Sequence, residues 1–279
     1  NNFKLKENSL TDDEKVEIND LANALKARQD AEDDVEILPK VTKEDIPLSR
    51  EYTNESYAMN NRSVYEVGTN GLIYSEFLFP CANLTSQELL YSSLYTFILT
   101  EVGHTKSSYE EIQTLQSSIT GGINASFRMH MNDQKEPGKL FLSISSKALE
   151  DNFDSMENLI MNTLESARFD EENRLLDLFN IFVARNEESL NQNGHILAMN
   201  SAASSLNAFS ATTYQMSGMQ MLNKSKESIS KIKNVSDANN VINILKGIHS
   251  KVLDKPFKIF TACSPKALRN LSKEFKNTQ

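Results

Sequence analysis

The strongest constraint on the fold of this 279-residue chain is a pair of alternating segments that flank a turn sequence. Residues 63–67 and 72–79 alternate between apolar and polar side chains, as strands do when one face of a sheet is buried. Thr69, Asn70 and Gly71 stand between the two segments and are typical turn residues. The pattern therefore predicts two strands joined as a hairpin near the start of a folded domain.

Helical patterns and further strand patterns follow this hairpin. Residues 86–102 have the apolar spacing of a helix that ends at Gly103, and residues 108–120 have that of a second helix that ends at Gly121. The same signals predict strands at 123–131, 139–146 and 256–263, and helices at 152–167, 170–192, 195–209, 235–252 and 266–276.

The order of these elements predicts the fold class. Hairpin strands come first, long helices follow, and one strand and one helix close the chain. This segregation is typical of an α+β fold, in which helices pack on one face of an antiparallel sheet. The chain contains no G-x-G-x-x-G sequence and no P-loop, and its strands do not alternate regularly with helices, so a nucleotide-binding parallel sheet is not expected.

The first 50 residues have a different character from the rest. Thr11 and the acids that follow it are typical of a helix start, and apolar side chains recur with helical spacing to about Gln29. Pro39 and Pro47 then favour an extended arm. This stretch has too few apolar residues to fold alone. The sequence therefore predicts a helical linker with a proline-punctuated arm at 1–50, and an α+β domain at 51–279.

The charge and apolar content exclude several function classes. The chain has 29 Lys and Arg against 38 Asp and Glu, a net charge of −9 that disfavours general nucleic-acid binding. No apolar run reaches the roughly 18 residues of a membrane span. Cys81 and Cys263 are the only cysteines, too few for a disulfide scaffold. We expect an intracellular chain, because no apolar signal-peptide core is found near Asn1.

The candidate chemical groups do not assemble into an active site by sequence alone. The four histidines are His104, His130, His195 and His249. None belongs to an H-E-x-x-H or H-x-x-E-H pattern, and Gly194 interrupts the helical register between Glu188 and His195. Structural or surface roles are the prediction for each. The acids at 170–172 resemble a paired-carboxylate cluster, but they begin a helix, where a solvated cap is the expectation.

An ordered series of short phrases gives a more specific indication. The series comprises Leu-Pro (38–39), Asp-Ile-Pro (45–47), Thr-Asn-Gly-Leu-Ile-Tyr (69–74), Leu-Thr-Glu-Val-Gly-His-Thr-Lys (99–106), Ser-Tyr-Glu-Glu-Ile (108–112), Thr-Gly-Gly-Ile (120–123), Ser-Ser-Lys-Ala-Leu (145–149), Gly-His-Ile-Leu-Ala (194–198) and Met-Ser-Gly-Met (216–219). Taken in order, these phrases resemble the pitrilysin/insulinase superfamily of zinc metallopeptidases, in its presequence protease and falcilysin subgroup. The part resembled is the linker and the third, non-catalytic domain.

This resemblance implies a LuxS/MPP-like domain without the zinc site. Catalytic domains of the family carry H-x-x-E-H on their first long helix, where two histidines bind zinc and the glutamate activates water. The resemblance places these three motif positions at Leu94, Phe97 and Ile98, which are apolar. It therefore implies no catalytic residue and no metal ligand in this segment, with zinc bound by the N-terminal catalytic half of the full-length enzyme. Substrate-binding residues stay unassigned.

The resemblance also implies partners and a location. The segment would close against the N-terminal catalytic half of the same polypeptide and enclose a chamber for unfolded peptides. A net charge of −9 is compatible with basic peptides such as targeting presequences. The compartment would be a bacterial cytoplasm, a mitochondrial matrix or a related organelle.

Two alternatives stay open at this point. The first is a catalytically inactive homologous subunit that acts as a scaffold or as the partner of an active peptidase. The proline-punctuated arm at 37–47 disfavours it, because such an arm suits a tether between two halves of one chain. The second is an unrelated α+β binding domain. It would gain support if the fold lacked two helices followed by a hairpin around Gly121 and Gly122.

Overall fold

The computed structural model describes residues 10–32, 35–49, 52–81, 83–130, 138–253 and 257–269. Residues 1–52 and residues 53–279 form two compact units. Parts of three predicted elements lie outside the described residues: position 131 of one strand, position 256 of another, and positions 270–276 of the last helix. No helix among the described residues is long and apolar enough to cross a membrane.

Among the described residues of the first unit, α1 (Asp12–Asp30) is an α-helix at the predicted place. Its start is fixed by a reciprocal cap. The Glu14 backbone N–H donates to Thr11 Oγ1 at 3.3 Å, and the Thr11 backbone N–H donates to Glu14 Oε2 at 2.7 Å. Two single 3₁₀ turns follow, at Val35–Ile37 and Lys43–Asp45. No described residue of α1 is buried, and Val16, Leu21 and Leu25 are each more than half exposed.

The described residues of the second unit form a six-stranded sheet with helices. Its strands are β1 (Tyr57–Met59), β2 (Arg62–Glu66), β3 (Leu72–Pro80), β4 (Ile123–His130), β5 (Lys139–Leu149) and β6 (Lys258–Cys263). Their order across the sheet is β1-β2-β6-β3-β5-β4. All neighbours are antiparallel except β2 and β6, which run parallel. The predicted α+β fold class is confirmed.

The predicted hairpin between β2 and β3 is wrong, because β6 lies between these two strands. Ile259 of β6 is opposite Arg62 of β2 on one side and opposite Phe77 of β3 on the other. The turn itself exists, since Asn70 and Gly71 have φ of 52° and 80°. It reverses the chain but leaves room for a strand contributed by the distant end of the unit. A hairpin does join β1 and β2, and it turns at Asn60 with φ of 51°.

Seven helices of the second unit are bounded by described residues: α2 (Ser86–Leu99), α3 (Tyr109–Ile119), α4 (Phe153–Glu165), α5 (Glu172–Ala203), α6 (Ala208–Ser217), α7 (Met219–Ile229) and α8 (Val235–Leu253). The helices predicted at 170–192 and 195–209 form the single element α5, which kinks at Asn193 and ends at Ala203. Helices α6 and α7 were not predicted from the sequence. Two helices followed by the β4–β5 hairpin do surround Gly121 and Gly122.

The helices cover one face of the sheet, and strand alternation defines that face. In β3, Ile73, Phe77 and Phe79 are at most 2% exposed, while Tyr74 between them is 41% exposed. The buried face of β5 continues the same layer with Leu142 and Ile144, both fully buried. The opposite face carries exposed or half-buried side chains along most of its length. The sheet therefore has a packed side and an open side.

Candidate functional site

Helix α2 carries the three positions at which the sequence analysis located the absent zinc motif. The helix begins with a reciprocal cap between Thr85 and Glu88, and it contacts β4 and the helices α5, α6, α7 and α8. Leu94 and Ile98 are fully buried in the core. Phe97 is half-buried, and its ring lies 5.7 Å from that of Phe182.

These three side chains do not fit a zinc ion. Zinc in proteins is bound by thiolate, imidazole or carboxylate groups, and leucine, phenylalanine and isoleucine offer none. The guanidinium of Arg185 lies 5.0 Å from the centre of the Phe97 ring, and a cation disfavours a metal ion beside it. In the part of the chain that the structure describes, no group of three or more His, Cys, Asp and Glu could hold a metal ion.

The four histidines lie on four different elements of the chain. His249 on α8 is bonded through Nδ1 to the buried Tyr95 hydroxyl at 3.0 Å, and its ring lies 5.2 Å from Phe169. His104 is 4% exposed in the loop between α2 and α3, where its Nε2 has no hydrogen-bond partner among the described residues. His130 contacts the edge of the Phe141 ring on the open face.

His195 corrects one detail of the sequence analysis. Gly194 does not break the register, because α5 continues through it, and only Asn193 has non-helical backbone angles, at φ −110° and ψ 16°. His195 lies on the second half of this kinked helix. The register change at Asn193 still separates His195 from Glu188, so the two do not form a helical ligand pair.

We expect the free energy of unfolding to fall as the pH drops below about 6.5, the ordinary histidine pKa. Burial lowers the pKa of both His104 and His249. The unfolded chain then binds protons at a higher pH than the folded chain, so acid favours unfolding until the pH passes below the folded-state pKa. Urea titrations between pH 7.5 and 5.5 would measure this slope. A slope as steep in the double variant H104Q/H249Q as in the unchanged chain would contradict the assignment.

The acidic cluster at 170–172 has a structural role different from the one expected. Asp170 is exposed, and its salt bridge to Arg168 at 3.2 Å lowers its pKa. The side chain of Glu171 is only 11% exposed, so the expectation of a solvated cap is wrong for this residue. Its two oxygens accept the backbone N–H groups of Gly103 at 2.6 Å and Tyr109 at 3.2 Å. Glu171 therefore anchors the loop between α2 and α3.

Gly103 explains why that loop approaches so closely. A methyl group at this position would lie 2.3 Å from the Ser107 carbonyl oxygen and 3.0 Å from the Glu171 carboxylate. The glycine that ends the helix pattern in the sequence is thus required mainly by the Ser107 carbonyl, and the Glu171 carboxylate is a second close neighbour. The sequence could not show this, because Gly103 and Glu171 are 68 positions apart.

The open face of the sheet contains two cavities that the sequence analysis did not predict. One has a volume of about 600 Å³ and is lined by Tyr65, Tyr74 and Lys147, among others. The second has a volume of about 620 Å³ and is lined by residues that include Phe141 and Lys258. Both include Phe260, so they meet at β6. Volumes of this size are typical of ligand sites.

One carboxylate among the described residues lines these cavities, and it is already bonded. Glu76 on β3 accepts a hydrogen bond from the Ser143 hydroxyl at 2.6 Å and lies 3.4 Å from the guanidinium of Arg128. The alternation within each strand could have identified its outward-facing side chains. Which of them lie side by side depends on the strand order, which was predicted wrongly from the sequence.

Comparison with known proteins gives the family. A family model for the associated region of M-16 peptidases, subgroup C, matches residues 1–227. The mitochondrial presequence protease of Candida albicans is 26% identical over 261 residues, which cover 89% of this chain and 25% of that protein. Presequence protease 1 of Arabidopsis thaliana, described as chloroplastic/mitochondrial, is 25% identical over 221 residues, which cover 77% of this chain and 20% of the relative.

The chain thus spans about a quarter or less of the length of these relatives. Among solved structures, a conserved protein from Enterococcus faecalis V583 resembles it with a TM-score of 0.50 and 11% identity, over 72% of this chain and 45% of that one. This likeness concerns the fold alone. Since the family model matches well over half of the sequence, the chain belongs to the family associated with M-16 peptidases of subgroup C and is similar to presequence proteases, which confirms the resemblance identified from its ordered phrases.

Proposed function

We propose that this chain is the non-catalytic segment of the C-terminal half of a presequence-protease-like zinc metallopeptidase. The observation that carries the proposal is the set of apolar side chains at the three motif positions of α2, within a chain of this family. Leu94 and Ile98 have no exposed surface, so neither position faces a space in which a metal ion and a peptide could meet. The catalytic zinc would be held by the N-terminal half of the full-length enzyme.

The function of such a segment would be to enclose the peptide substrate. We propose that residues 51–279 form part of a closed chamber that binds and degrades unfolded peptides, and that residues 1–50 form the linker arm between the two halves. A closed chamber admits flexible peptides and excludes folded proteins by size. It also removes bulk water from the reacting groups, which strengthens electrostatic interactions during hydrolysis.

The relatives also suggest a compartment. Those compared above are described as mitochondrial or chloroplastic presequence proteases. We propose an organelle of this kind as the location of the present chain, in preference to a bacterial cytoplasm.

The zinc content of the isolated chain tests the proposal. After purification without chelators, we expect less than about a tenth of an equivalent of zinc per chain, because a bound structural or catalytic zinc survives dialysis near stoichiometry. We also expect no hydrolysis of an unfolded reporter peptide by this chain alone. One zinc per chain retained through dialysis, or peptide cleavage that a chelator abolishes, would contradict a non-catalytic segment.

A further inference from the structure

We propose that the open face of the sheet binds extended peptide segments that carry carboxylates beside apolar side chains, and that it disfavours basic segments. This inference rests on the proposed function, since it names the class of peptide that this part of the chamber would hold. Its basis is the distribution of aromatic rings and of lysine charges over the two cavities that meet at Phe260.

The floor of the two cavities is apolar and aromatic. Tyr65 and Phe260 stack with their ring centres 6.4 Å apart, and Tyr74 lies on the neighbouring strand β3. Phe141 and Leu78 continue the floor into the second cavity. Partly exposed rings of this kind offer large contact areas to the side chains of an unfolded peptide, with little conformational entropy to lose.

The charges around this floor are positive. Lys147 lines the first cavity, and Lys139 and Lys258 line the second. None of the three makes a salt bridge with any residue that the structure describes. Glu76, the one carboxylate among the described lining residues, is already held by Arg128 and Ser143. A chain with a net charge of −9 therefore presents three lysines beside these cavities without a described acidic partner.

Lys147 is also held in position. A methyl group at Gly121 would lie 2.8 Å from the side chain of Lys147, so the methylene stem of the lysine rests against this glycine. Lys147 and Lys139 are eight positions apart on the same strand, a distance of about 26 Å at the rise of a β-strand. An extended peptide lying along β5 would thus place one carboxylate near each lysine if its two carboxylates are about eight residues apart.

Charge argues against the other occupants of this face. A second copy of the chain, docked by the same face on a two-fold axis, would bring lysines against lysines. A basic presequence would meet the same repulsion. The net charge of −9 suggested compatibility with basic peptides, but the charge of the open face favours acidic ones. The three lysines lie beside the cavities, while most of the acidic residues lie elsewhere.

The test is a binding experiment with two matched peptides. One 15-residue unstructured peptide combines glutamate with phenylalanine, and the other has lysine in place of each glutamate. We expect the chain to bind the acidic peptide about tenfold more tightly at low salt, measured by fluorescence anisotropy, with a preference that shrinks as salt is added. In the variant K147E/K258E the preference should be lost or inverted.

The variant K233E/K246E is the matched control. It changes the net charge equally, but Lys233 and Lys246 lie on the helical side of the unit, so we expect its preference to equal that of the unchanged chain. Equal binding of both peptides, tighter binding of the basic one, binding of neither, an equal loss in the control, or a dimer in sedimentation that K147E/K258E abolishes would each overturn the inference. The zinc measurement is independent of these outcomes, so failure here leaves the proposed non-catalytic function standing.

Discussion

Replacing Glu157 with alanine is expected to lower the free energy of unfolding by about 3 to 5 kcal/mol, the cost of removing one partner of a buried ion pair. Glu157 lies on α4 and Arg62 lies on β2. The two side chains are only 15% and 10% exposed, and they form a two-point contact with N–O distances of 2.7 Å and 2.5 Å. For a domain of this size, the loss corresponds to a fall in Tm of about 10 °C.

The effect is large because the same pair organises two further strands. Arg62 also donates to the Thr261 hydroxyl of β6 at 2.7 Å, and Glu157 accepts from the Ser75 hydroxyl of β3 at 2.8 Å. The guanidinium additionally lies 5.5 Å from the centre of the Phe153 ring. Without the carboxylate, the mostly buried guanidinium loses the Glu157 ion pair under the sheet, at the place where β2, β6 and β3 meet.

Urea unfolding of E157A measures the loss, and E187A is the matched control. Glu187 pairs with Lys226 at 2.7 Å, but both side chains are about half exposed or more, so its removal should cost less than about 1 kcal/mol. The double variant R62M/E157L should recover most of the loss, because apolar groups of similar volume can replace a buried ion pair. A loss in E157A no larger than in E187A would show that the buried pair does not stabilise the unit.

The strands could be predicted from the sequence, but their pairing could not. Alternation within 72–79 reflects local burial on one face, and it correctly identified β3. The order of the strands depends on Lys258–Cys263, which pairs with both β2 and β3 although several helices separate it from them in the sequence. The Asn70-Gly71 turn has the same local geometry in either arrangement. Nothing in residues 63–79 distinguishes a closed hairpin from a gap that a later strand fills.

The missed helix α6 has a related explanation. Residues 208–217 read Ala-Phe-Ser-Ala-Thr-Thr-Tyr-Gln-Met-Ser, a segment rich in hydroxyl side chains of modest helix propensity. Of its side chains only Met216 is buried, so no apolar periodicity marks the element. The helix forms against α2, where the Ser93 hydroxyl donates to the Met216 carbonyl at 2.8 Å. Tertiary packing, not local sequence, decides this helix.

The two candidate sites also differ in how far they could be predicted from the sequence. That Leu94, Phe97 and Ile98 are apolar is visible in the sequence, and their helical spacing indicates one side of a helix. The open face could not be predicted, because Lys147, Lys258 and Phe260 come to share one face only once β6 is placed beside β3. The positive charge that opposes the net charge is therefore a property of the strand order and not of the composition.

Restoring the zinc motif in α2 is expected to unfold the domain instead of creating a metal site. The triple variant L94H/F97E/I98H removes two fully buried apolar side chains, each worth about 2 to 3 kcal/mol of burial. It also puts two imidazoles among the apolar side chains of the core, at a further cost of about 1 to 3 kcal/mol for each one buried without a hydrogen bond. The sum is comparable to the whole stability of a typical domain.

Circular dichroism and zinc analysis of this variant, beside two others, separate the possibilities. L94M keeps the volume of the core and should cost less than about 1.5 kcal/mol. F97E alone should fold, because Phe97 is only half-buried and the new carboxylate would face Arg185. If the triple variant instead melts near the unchanged chain and retains one zinc, α2 preserves the geometry of a working metal site. The backbone of α2 would then still have the geometry of a metal site. The apolar side chains at positions 94, 97 and 98 would not be needed for core packing, which would contradict our proposal.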